Sequence, residues 1–304
     1  MNDSIILGVD IGGSHITAAL VDMQSRTILP ESMVREAIDA YSTATDIIAQ
    51  WSKIMKASFS ISNTSMGKIG IAMPGPFDYA KGICLIKGQE KYEALYGLNI
   101  KEMLAEKLEI SPNDILLMND AACFLQGEVF SGAATECRNV IGLTLGTGLG
   151  SASYHGEVAE DADLWKMPFK DTYAEEYLST RWFVKRYYEL TAIEVSNVKE
   201  LAACISEDTS AKVVFDEFGR NLGDFLNRFI EQEKAELIVI GGNIAKAFDL
   251  FIDELLKVVA VKFPEVDVKL ADLGEQAPLL GSASLWFDYP LGNGNNGLLY
   301  SELN

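Results

Sequence analysis

The sequence predicts an α/β protein built from two similar domains. Short β-branched runs that end in glycine alternate with helical segments along its 304 residues. A chain of this length can bury a large core, and the length is typical of two domains of ordinary size. A strand–glycine-turn segment near the N-terminus also recurs in the second half of the chain.

This internal repeat consists of ILGVDIGGS at residues 6–14 and VIGLTLGTG at residues 140–148. Its paired positions are Gly8 with Gly142, Asp10 with Thr144, and Gly12 with Gly146. Such a repeat favours a duplicated domain that faces its copy across a cleft. Two independent strand–turn signals would look the same, so that alternative stays open.

Sequence periodicity predicts the elements of the first half. SIILGVDIGG, HITAALVD and RTILPE are typical of three successive strands with tight turns. An amphipathic helix is predicted over residues 42–58, followed by the buried strand KIGIAMPG. A helix over residues 99–108, the strand DILLMND and a helix that begins at about Ala121 complete this half.

The second half repeats the plan. NVIGLTLGTGLGSASYHGEV predicts two strands around glycine turns, and helices are expected from about residue 174 to 234 with a break near 191–196. AELIVIGGNI predicts a buried strand and APLLGSASLWF a closing helix. The tail LGNGNNG is typical of a turn or a flexible end.

Composition excludes several classes of partner. The formal net charge of −19 would repel nucleic acid and anionic membranes, although it permits a small anion held by backbone amides. The four cysteines lie far apart and form no CxxC pair, which argues against a disulfide framework. The N-terminus runs straight into a predicted strand, so we expect no secretory leader, and no apolar run approaches the length that a membrane helix needs. We therefore expect a cytoplasmic protein.

Three glycine turns end predicted buried strands, and their residues are Gly12-Gly13, Gly146-Thr147-Gly148 and Gly241-Gly242. Glycine lets the backbone approach an anion closely, and successive N–H groups in a tight turn can hold phosphate oxygens. A single turn would be weak evidence, because hairpins use the same residues for steric reasons. The chain contains no GxxxxGK[ST] motif, and GTGLGS leads into a strand, which disfavours P-loop and dinucleotide folds.

At these residues the chain resembles the ROK family of sugar kinases, within the actin/hexokinase/Hsp70-like superfamily. The matching segments run in order along nearly the whole chain: DIGGSHITAALVD (10–22), AMPGPFDYAKG (72–82), LMNDAACFLQGE (117–128), LTLGTGLGSASYHGEV (143–158), IVIGGNIAKA (238–247) and APLLGSASL (277–285). The resemblance implies two duplicated actin-like, RNase H-like domains with mixed sheets flanking a central cleft. The expected boundaries are 1–119 with 288–304 for a smaller domain and 120–287 for a larger one.

The resemblance assigns the ATP- and phosphate-binding positions to residues in three motifs, of which the last is the family's adenosine motif: Asp10, Gly12, Gly13, Ser14, Gly146, Thr147, Gly148, Gly241, Gly242 and Asn243. Asp10 follows a strand and can hold Mg²⁺ through water while nearby amides bind phosphate. A strand-end turn acid is the alternative for Asp10. His15 stands where the family often has a basic residue, and we expect it to be exposed or paired.

Asp120 is the candidate general base. A sugar hydroxyl that attacks the γ-phosphate needs a carboxylate to orient it and accept its proton, and the family places its base here. The alternative is a helix N-cap, and both roles can hold. Asn119 and Gly75 resemble sugar-binding positions of the family.

The segment ADLWKMP departs from the family's GELGHMP. Asp163 falls at the sugar-binding Glu, Trp165 at the Gly and Lys166 at the His, which also binds zinc in the family. The family's cysteine run is replaced by FKDTY, so structural zinc should be absent. Glu175 in AEEYLS falls at the second sugar-binding acid.

Because Asp120 and all three glycine turns persist, we expect an active kinase with altered sugar specificity. The resemblance implies an ATP- and Mg²⁺-dependent kinase for a hexose or N-acetylhexosamine, and a homodimer. One rival is a degenerate, non-catalytic sugar-binding or regulatory protein. DNA binding by such a regulator is disfavoured by the charge and by a first strand at about residue 4. The other rival is an actin-like ATPase, which would turn over ATP without sugar.

Overall fold

The structure is a computed structural model, and it describes residues 4–61, 65–88 and 91–287. The chain divides into two compact units. The first unit contains the residues up to Ser131 together with those from Glu275 onward, and the second spans Gly132–Gly274. No helix among the described residues has both the length and the apolar composition that a membrane crossing requires.

The first unit contains a mixed sheet whose central strands are almost wholly buried. The strands of this unit are β1 Ile5–Ile11, β2 His15–Asp22, β3 Thr27–Ile28, β4 Val34–Ala37, β5 Ile69–Met73, β6 Phe77–Asp78, β7 Ile83–Cys84 and β8 Ile115–Asn119. The order is β3-β2-β1-β5-β8, with β4 also paired to β2, and β6 and β7 form a separate hairpin. β1 and β2 are antiparallel, whereas β1, β5 and β8 are parallel. The continuous apolar runs of β1 and β5 suit strands buried on both faces.

Three helices of this unit follow its strands: α1 Ala44–Ile61, α2 Ile100–Leu108 and α3 Asp120–Ser131. α1 turns a stripe of apolar residues, including fully buried Trp51, toward the sheet. α2 begins after Asn99, whose side chain accepts a hydrogen bond from the Glu102 amide and so caps the helix.

The second unit repeats the sheet with larger helices. Its elements are β9 Val140–Leu145, β10 Leu149–Tyr154, β11 Glu160–Asp161, β12 Pro168–Phe169, β13 Thr172–Tyr173, α4 Glu175–Leu178, α5 Thr180–Thr191, α6 Val198–Ala203, α7 Thr209–Glu233, β14 Leu237–Gly241, α8 Ile252–Val259 and β15 Asp267–Leu270. The sheet order is β11-β10-β9-β14-β15, and β12 with β13 forms a hairpin. α7 packs Phe215, Phe218 and Phe225 into the core of this unit.

The two sheets share one topology, which confirms the predicted duplication. In each sheet an antiparallel hairpin (β1–β2 or β9–β10) is extended by two parallel strands (β5 and β8, or β14 and β15). Residues that the internal repeat aligns occupy equivalent positions in the two sheets. Asp10 near the end of β1 lies beside Ala72 of β5, and Thr144 near the end of β9 lies beside Gly241 of β14.

The last described helix, α9 Ala277–Ser284, belongs to the first unit although it follows the second in sequence. A Cβ on Gly70 would overlap the Ser282 carbonyl oxygen, and one on Gly281 would overlap the Cys123 carbonyl oxygen of α3. Glycine therefore lets α9 lie directly on β5 and α3.

This packing places the unit boundaries elsewhere than the sequence analysis did. We had assigned the helix after Asn119 and the closing helix to the larger domain 120–287. In the structure both helices pack on the sheet of the first unit, and the chain leaves that unit only after Ser131. The segment 288–304, which we had assigned to the smaller domain, lies outside the described residues.

Candidate active site

In the first unit, the candidate site lies at the carboxyl ends of three parallel strands. Asp10 lies at the end of β1, Gly75 follows β5, and Asn119 ends β8. Asp10 is in register with Ala72 of β5, and Met73 of β5 is in register with Asn119. Because the carboxyl ends of parallel strands meet at one edge of a sheet, the residues that follow these strands lie together.

The first glycine turn links β1 to β2 at this edge. The Gly12 amide donates to the His15 carbonyl oxygen at 2.9 Å and closes the hairpin. The Gly12 carbonyl accepts a hydrogen bond from the Tyr92 hydroxyl at 2.5 Å. Ser14 and His15 are exposed, with 3.0 Å between Ser14 Oγ and His15 Nδ1. These two hydrogen bonds therefore hold the backbone of the turn in place, while Ser14 and His15 face solvent.

Asp10 carries an unfavourable negative charge. Burial raises its pKa from 3.8 to about 6, and the charges of Asp120 and Glu275 act in the same direction. Arg35 opposes them. It is in register with Thr17 of β2, which in turn is in register with Asp10, and its guanidinium lies 2.7 Å from Glu275. A site with this excess of carboxylate suits a bound cation.

Asn119, and not Asp120, caps helix α3. Its Oδ1 accepts hydrogen bonds from the amides of Ala121 and Ala122 at 2.8 and 3.1 Å. The Asp120 carboxylate accepts a local hydrogen bond from the Ala121 amide at 2.9 Å. The Asp120 residue is exposed to solvent, yet the protein atoms packed around its carboxyl group desolvate that group and raise its pKa. A carboxylate that is accessible and poorly solvated is suited to accept a proton.

Gly75 and Asn119 share a contact through Tyr79. The Asn119 amide nitrogen lies 3.4 Å from the Tyr79 hydroxyl, which donates to the Met73 carbonyl oxygen at 2.9 Å. A Cβ on Gly75 would lie 3.0 Å from the same hydroxyl. The structure thus brings Gly75, Asn119 and Asp120 together, as the sequence suggested, and adds Tyr79.

The second unit holds the other two glycine turns at an equivalent edge. Gly146 follows β9, and its carbonyl oxygen accepts from the Thr180 amide at 2.8 Å and the Thr180 hydroxyl at 3.0 Å. Gly242 follows β14 with φ of +89°, where a Cβ would overlap the Leu145 carbonyl oxygen. Only glycine fits that backbone conformation and that contact without strain. Thr147 and Asn243 are exposed, and Asn243 Oδ1 accepts from Lys246 Nζ at 2.9 Å.

Glu175, the predicted sugar-binding acid, contacts the second glycine turn. Its Oε2 accepts from the Leu149 amide at 3.1 Å, and it would lie 2.6 Å from a Cβ on Gly148. Its other carboxylate oxygen accepts from Arg181 at 2.8 Å. The carboxylate therefore already accepts from the amide that directly follows this turn.

The altered segment forms a compact local cluster. Asp163 adopts the left-handed conformation with φ of +49°, and its carboxylate accepts from the Trp165 indole nitrogen at 2.7 Å. The Lys166 ammonium lies 4.1 Å from the centroid of the Trp165 ring, a cation–π contact. Asp163 and Lys166 are exposed, so each carries its charge at the surface.

An aromatic anchor follows this segment, where the resemblance expected a cysteine run. Phe169 in the β12–β13 hairpin is 2% exposed and packs edge-on against Tyr177 and Phe225, with centroids 5.5 and 6.3 Å apart. Among the described residues, no three His, Cys, Asp or Glu side chains are grouped closely enough to hold a metal. The packing of the Phe169 ring helps to hold the hairpin in place.

Sequence reasoning missed Arg35, Tyr79 and Tyr92. Their roles depend on partners that the fold brings close, such as the Tyr92 hydroxyl on Gly12, which lies 80 positions away in the chain. The Tyr79 position falls within a motif that we had matched, so a polar aromatic residue there was the one available signal.

Comparison with known proteins agrees with the fold. The family model for the ROK family matches residues 6–158 and 171–289. A glucokinase from Thermotoga maritima is 25% identical, with 92% of this chain and 96% of the relative covered. The N-acetylgalactosamine kinase AgaK of Shewanella sp. strain ANA-3 is 23% identical, with coverage of 91% and 95%. A ROK family glucokinase from Streptomyces griseus, in complex with glucose and AMPPNP, superposes with a TM-score of 0.74 at 22% identity and coverage of 92% and 98%.

The duplicated actin-like units, their glycine turns and these relatives define the class of ATP-dependent sugar kinases. Within that class, the chain belongs to the ROK family. The family match is interrupted between residues 158 and 171, and this interval contains Asp163, Trp165 and Lys166.

Proposed function

We propose that the protein transfers the γ-phosphoryl group of ATP to a hydroxyl of a hexose or N-acetylhexosamine, with Asp120 as general base. The observation that carries this proposal is the meeting of Asp120, Asn119 and Asp10 with the first glycine turn at one strand edge. Asp120 is exposed there and is not the cap of its helix, which leaves its carboxylate available to a substrate hydroxyl.

In the reaction, Asp120 hydrogen-bonds the attacking hydroxyl and accepts its proton as the oxygen–phosphorus bond forms. The bond from the γ-phosphorus to the bridging oxygen breaks at the same time, and ADP leaves. Burial raises the pKa of Asp120, which strengthens it as a base. The Asn119 amide and the backbone at Gly75 orient the sugar.

The substrate contacts fall into two sets. The proposed ATP and phosphate ligands are Asp10, Gly12, Gly13, Ser14, Gly146, Thr147, Gly148, Gly241, Gly242 and Asn243. The proposed sugar ligands are Gly75, Asn119, Asp120, Asp163, Lys166 and Glu175. Asp163 and Glu175 would have to exchange their present partners, Trp165 and Leu149, for sugar hydroxyls.

Mg²⁺ fits the first unit on electrostatic grounds. Asp10 has a raised pKa because it is buried near Asp120 and Glu275, and a cation would relieve that repulsion. Asp10 would hold the ion, directly or through water, together with the phosphates of ATP. Bound there, Mg²⁺ neutralises phosphate charge.

The test is a coupled ADP-release assay over hexoses, hexosamines and their N-acetyl forms, run with wild type, Asp120→Asn and Glu106→Gln. Loss of a general base lowers kcat by roughly 10²- to 10⁴-fold, so Asp120→Asn should lose most activity. Glu106 lies exposed on α2 and its variant should match wild type. Sugar phosphorylation by Asp120→Asn within a few-fold of wild type would exclude the base.

A non-catalytic sugar-binding protein is the second candidate. The observation that favours it is the engagement of both predicted sugar acids, Asp163 by Trp165 and Glu175 by Leu149 and Arg181. Sugar binding in calorimetry without phosphorylation of any sugar would support it. ATP turnover that needs no sugar would instead point to an actin-like ATPase.

The remaining proposals concern assembly and location. We propose a homodimer in the cytoplasm, on the strength of the family. A net charge of −19 supports the absence of nucleic-acid and membrane partners. Light scattering at several concentrations tests the dimer.

A further inference from the structure

Lys91 lies across the first glycine turn. A Cβ built on Gly13 would be 2.6 Å from the Lys91 ammonium nitrogen and 3.0 Å from its Cδ. The end of the lysine side chain therefore occupies the space that any other residue at position 13 would fill. Because Gly13 has no side chain, the Lys91 ammonium can approach the backbone of the turn, and so can a phosphate.

The backbone next to Lys91 is held firmly. Tyr92 is 1% exposed, and its amide donates to the Ala40 carbonyl oxygen at 2.8 Å. Its ring packs edge-on against Trp51, with centroids 5.5 Å apart. Its hydroxyl donates to the carbonyl oxygen of Gly12 in the same turn. Burial raises the pKa of Tyr92, so the hydroxyl stays a neutral donor at working pH. The Tyr92–Gly12 bond ties the Lys91 segment to the turn.

The charges near this strand edge favour a cation at this position. The protein has a net charge of −19, and Asp10 and Asp120 lie near the same strand edge. A polyphosphate that approaches this edge meets carboxylates that repel it. Where the family often has a basic residue, His15 lies beside the Ser14 hydroxyl. Lys91 brings a full positive charge to the turn from another part of the chain.

We propose that Lys91 is a phosphate-binding residue whose ammonium contacts the terminal phosphate of ATP at the Gly12-Gly13 turn. Lysine suits this role because its ammonium is a compact charge with three donors on a flexible stem. The terminal phosphate is assigned because this turn shares its sheet edge with Asp120, the proposed base. The assignment rests on the proposed function.

The experiment is calorimetric titration of the full-length protein with Mg-ATP and with Mg-ADP, without sugar. The variants are Lys91→Gln, Lys91→Arg and, as the matched control, Lys87→Gln. Lys87 belongs to the same segment, but its ammonium lies 5.2 Å from the ring centroid of Tyr96. We expect Lys91→Gln to weaken Mg-ATP binding roughly tenfold and Mg-ADP binding less than twofold, since a charge-assisted hydrogen bond contributes about 1.5 kcal/mol. Lys91→Arg should recover part of the loss, and Lys87→Gln should bind like wild type.

The outcomes separate this proposal from the proposed function. Lys91→Gln that binds Mg-ATP within twofold of wild type overturns the Lys91 assignment, even if sugar is phosphorylated. The expected loss for ATP alone supports it, even if no sugar turns over. Equal losses for ATP and ADP would overturn the contact with the terminal phosphate, and a wild type that binds no Mg-ATP would overturn both proposals. Thermal unfolding of each variant verifies that it is folded.

Discussion

The two glycine turns that follow β1 and β9 have the same topology but opposite charges above them. The Lys91 ammonium lies over Gly13 in the first unit, and the Glu175 carboxylate lies over Gly148 in the second, each 2.6 Å from where a Cβ would be. Each turn joins the two strands of an antiparallel hairpin, but the Gly12 amide donates to the His15 carbonyl oxygen in the first turn and the Gly146 amide to the Gly148 carbonyl oxygen in the second. The side chain above each turn, drawn from a distant segment, decides which charge the turn can accept.

This contrast has a physical consequence for anion binding. At the first turn a phosphate would gain a cation. At the second turn it would compete with a carboxylate that already accepts from the Leu149 amide. We therefore expect the first turn to bind the more highly charged end of a nucleotide, and the predictions below alter one turn at a time.

The largest effect should come from giving the first turn the charge of the second. Lys91→Glu places a carboxylate over Gly13 and should weaken Mg-ATP binding by about 100-fold, since it removes an attraction and adds a repulsion. Lys87→Glu carries the same change of net charge. It should weaken Mg-ATP binding at most about twofold, because salt screens an exposed charge away from the site. Calorimetry at two salt concentrations measures both. Equal losses in the two variants would show that net charge, and not the position over Gly13, is responsible.

A smaller effect concerns the stability of the first unit. Burial and neighbouring carboxylates raise the pKa of Asp10 to about 6, so its ionised form opposes folding. The penalty is absent below the ordinary pKa of 3.8, grows as the pH rises toward 6, and is complete above it. A shift of this size corresponds to at most about 3 kcal/mol, and partial solvation lowers that to about 1–2 kcal/mol.

Asp10→Asn should therefore be more stable than wild type at pH 7.5 without nucleotide and Mg²⁺, while losing kinase activity. Its advantage in chemical denaturation should shrink as the pH falls from 6 to 4. Asp22→Asn, at the other end of the β1–β2 hairpin, makes the same replacement away from this strand edge and is the control. An Asp10→Asn advantage that persists unchanged at pH 4 would contradict the electrostatic explanation.

Much of the fold follows from local sequence patterns. The strands around the glycine turns, the helices that follow Thr43 and Asn99, and a helix break near 191–196 were predicted, because apolar periodicity and turn residues mark them directly. The structure places that break at 192–197. The position of Asp120 directly after a strand could also be predicted, because the strand end is marked by neighbouring residues in the sequence. These features depend on residues close together in the chain.

What the sequence analysis missed depends on distant contacts. The strands β4 and β15 were not predicted, since Val34–Ala37 and Asp267–Leu270 are edge strands in which no residue is buried. Helix α8 was missed as well. Lys91 over Gly13 and Glu175 on the Leu149 amide are visible only after folding, because each joins segments that are 26 or more residues apart.

The smallest effect should come from removing the charge over the second turn. Glu175→Gln keeps an acceptor for the Leu149 amide but loses the ion pair with Arg181, which is 59% exposed and contributes little to stability. Mg-ADP should bind about two- to threefold more tightly, since a repulsive charge next to a phosphate-binding turn is gone. Glu176→Gln removes the same charge one residue further on, where the carboxylate contacts Arg181 at 3.2 Å and no turn amide, and its affinity should not change. If both variants bind Mg-ADP like wild type, the Glu175 carboxylate does not compete with phosphate at the second turn.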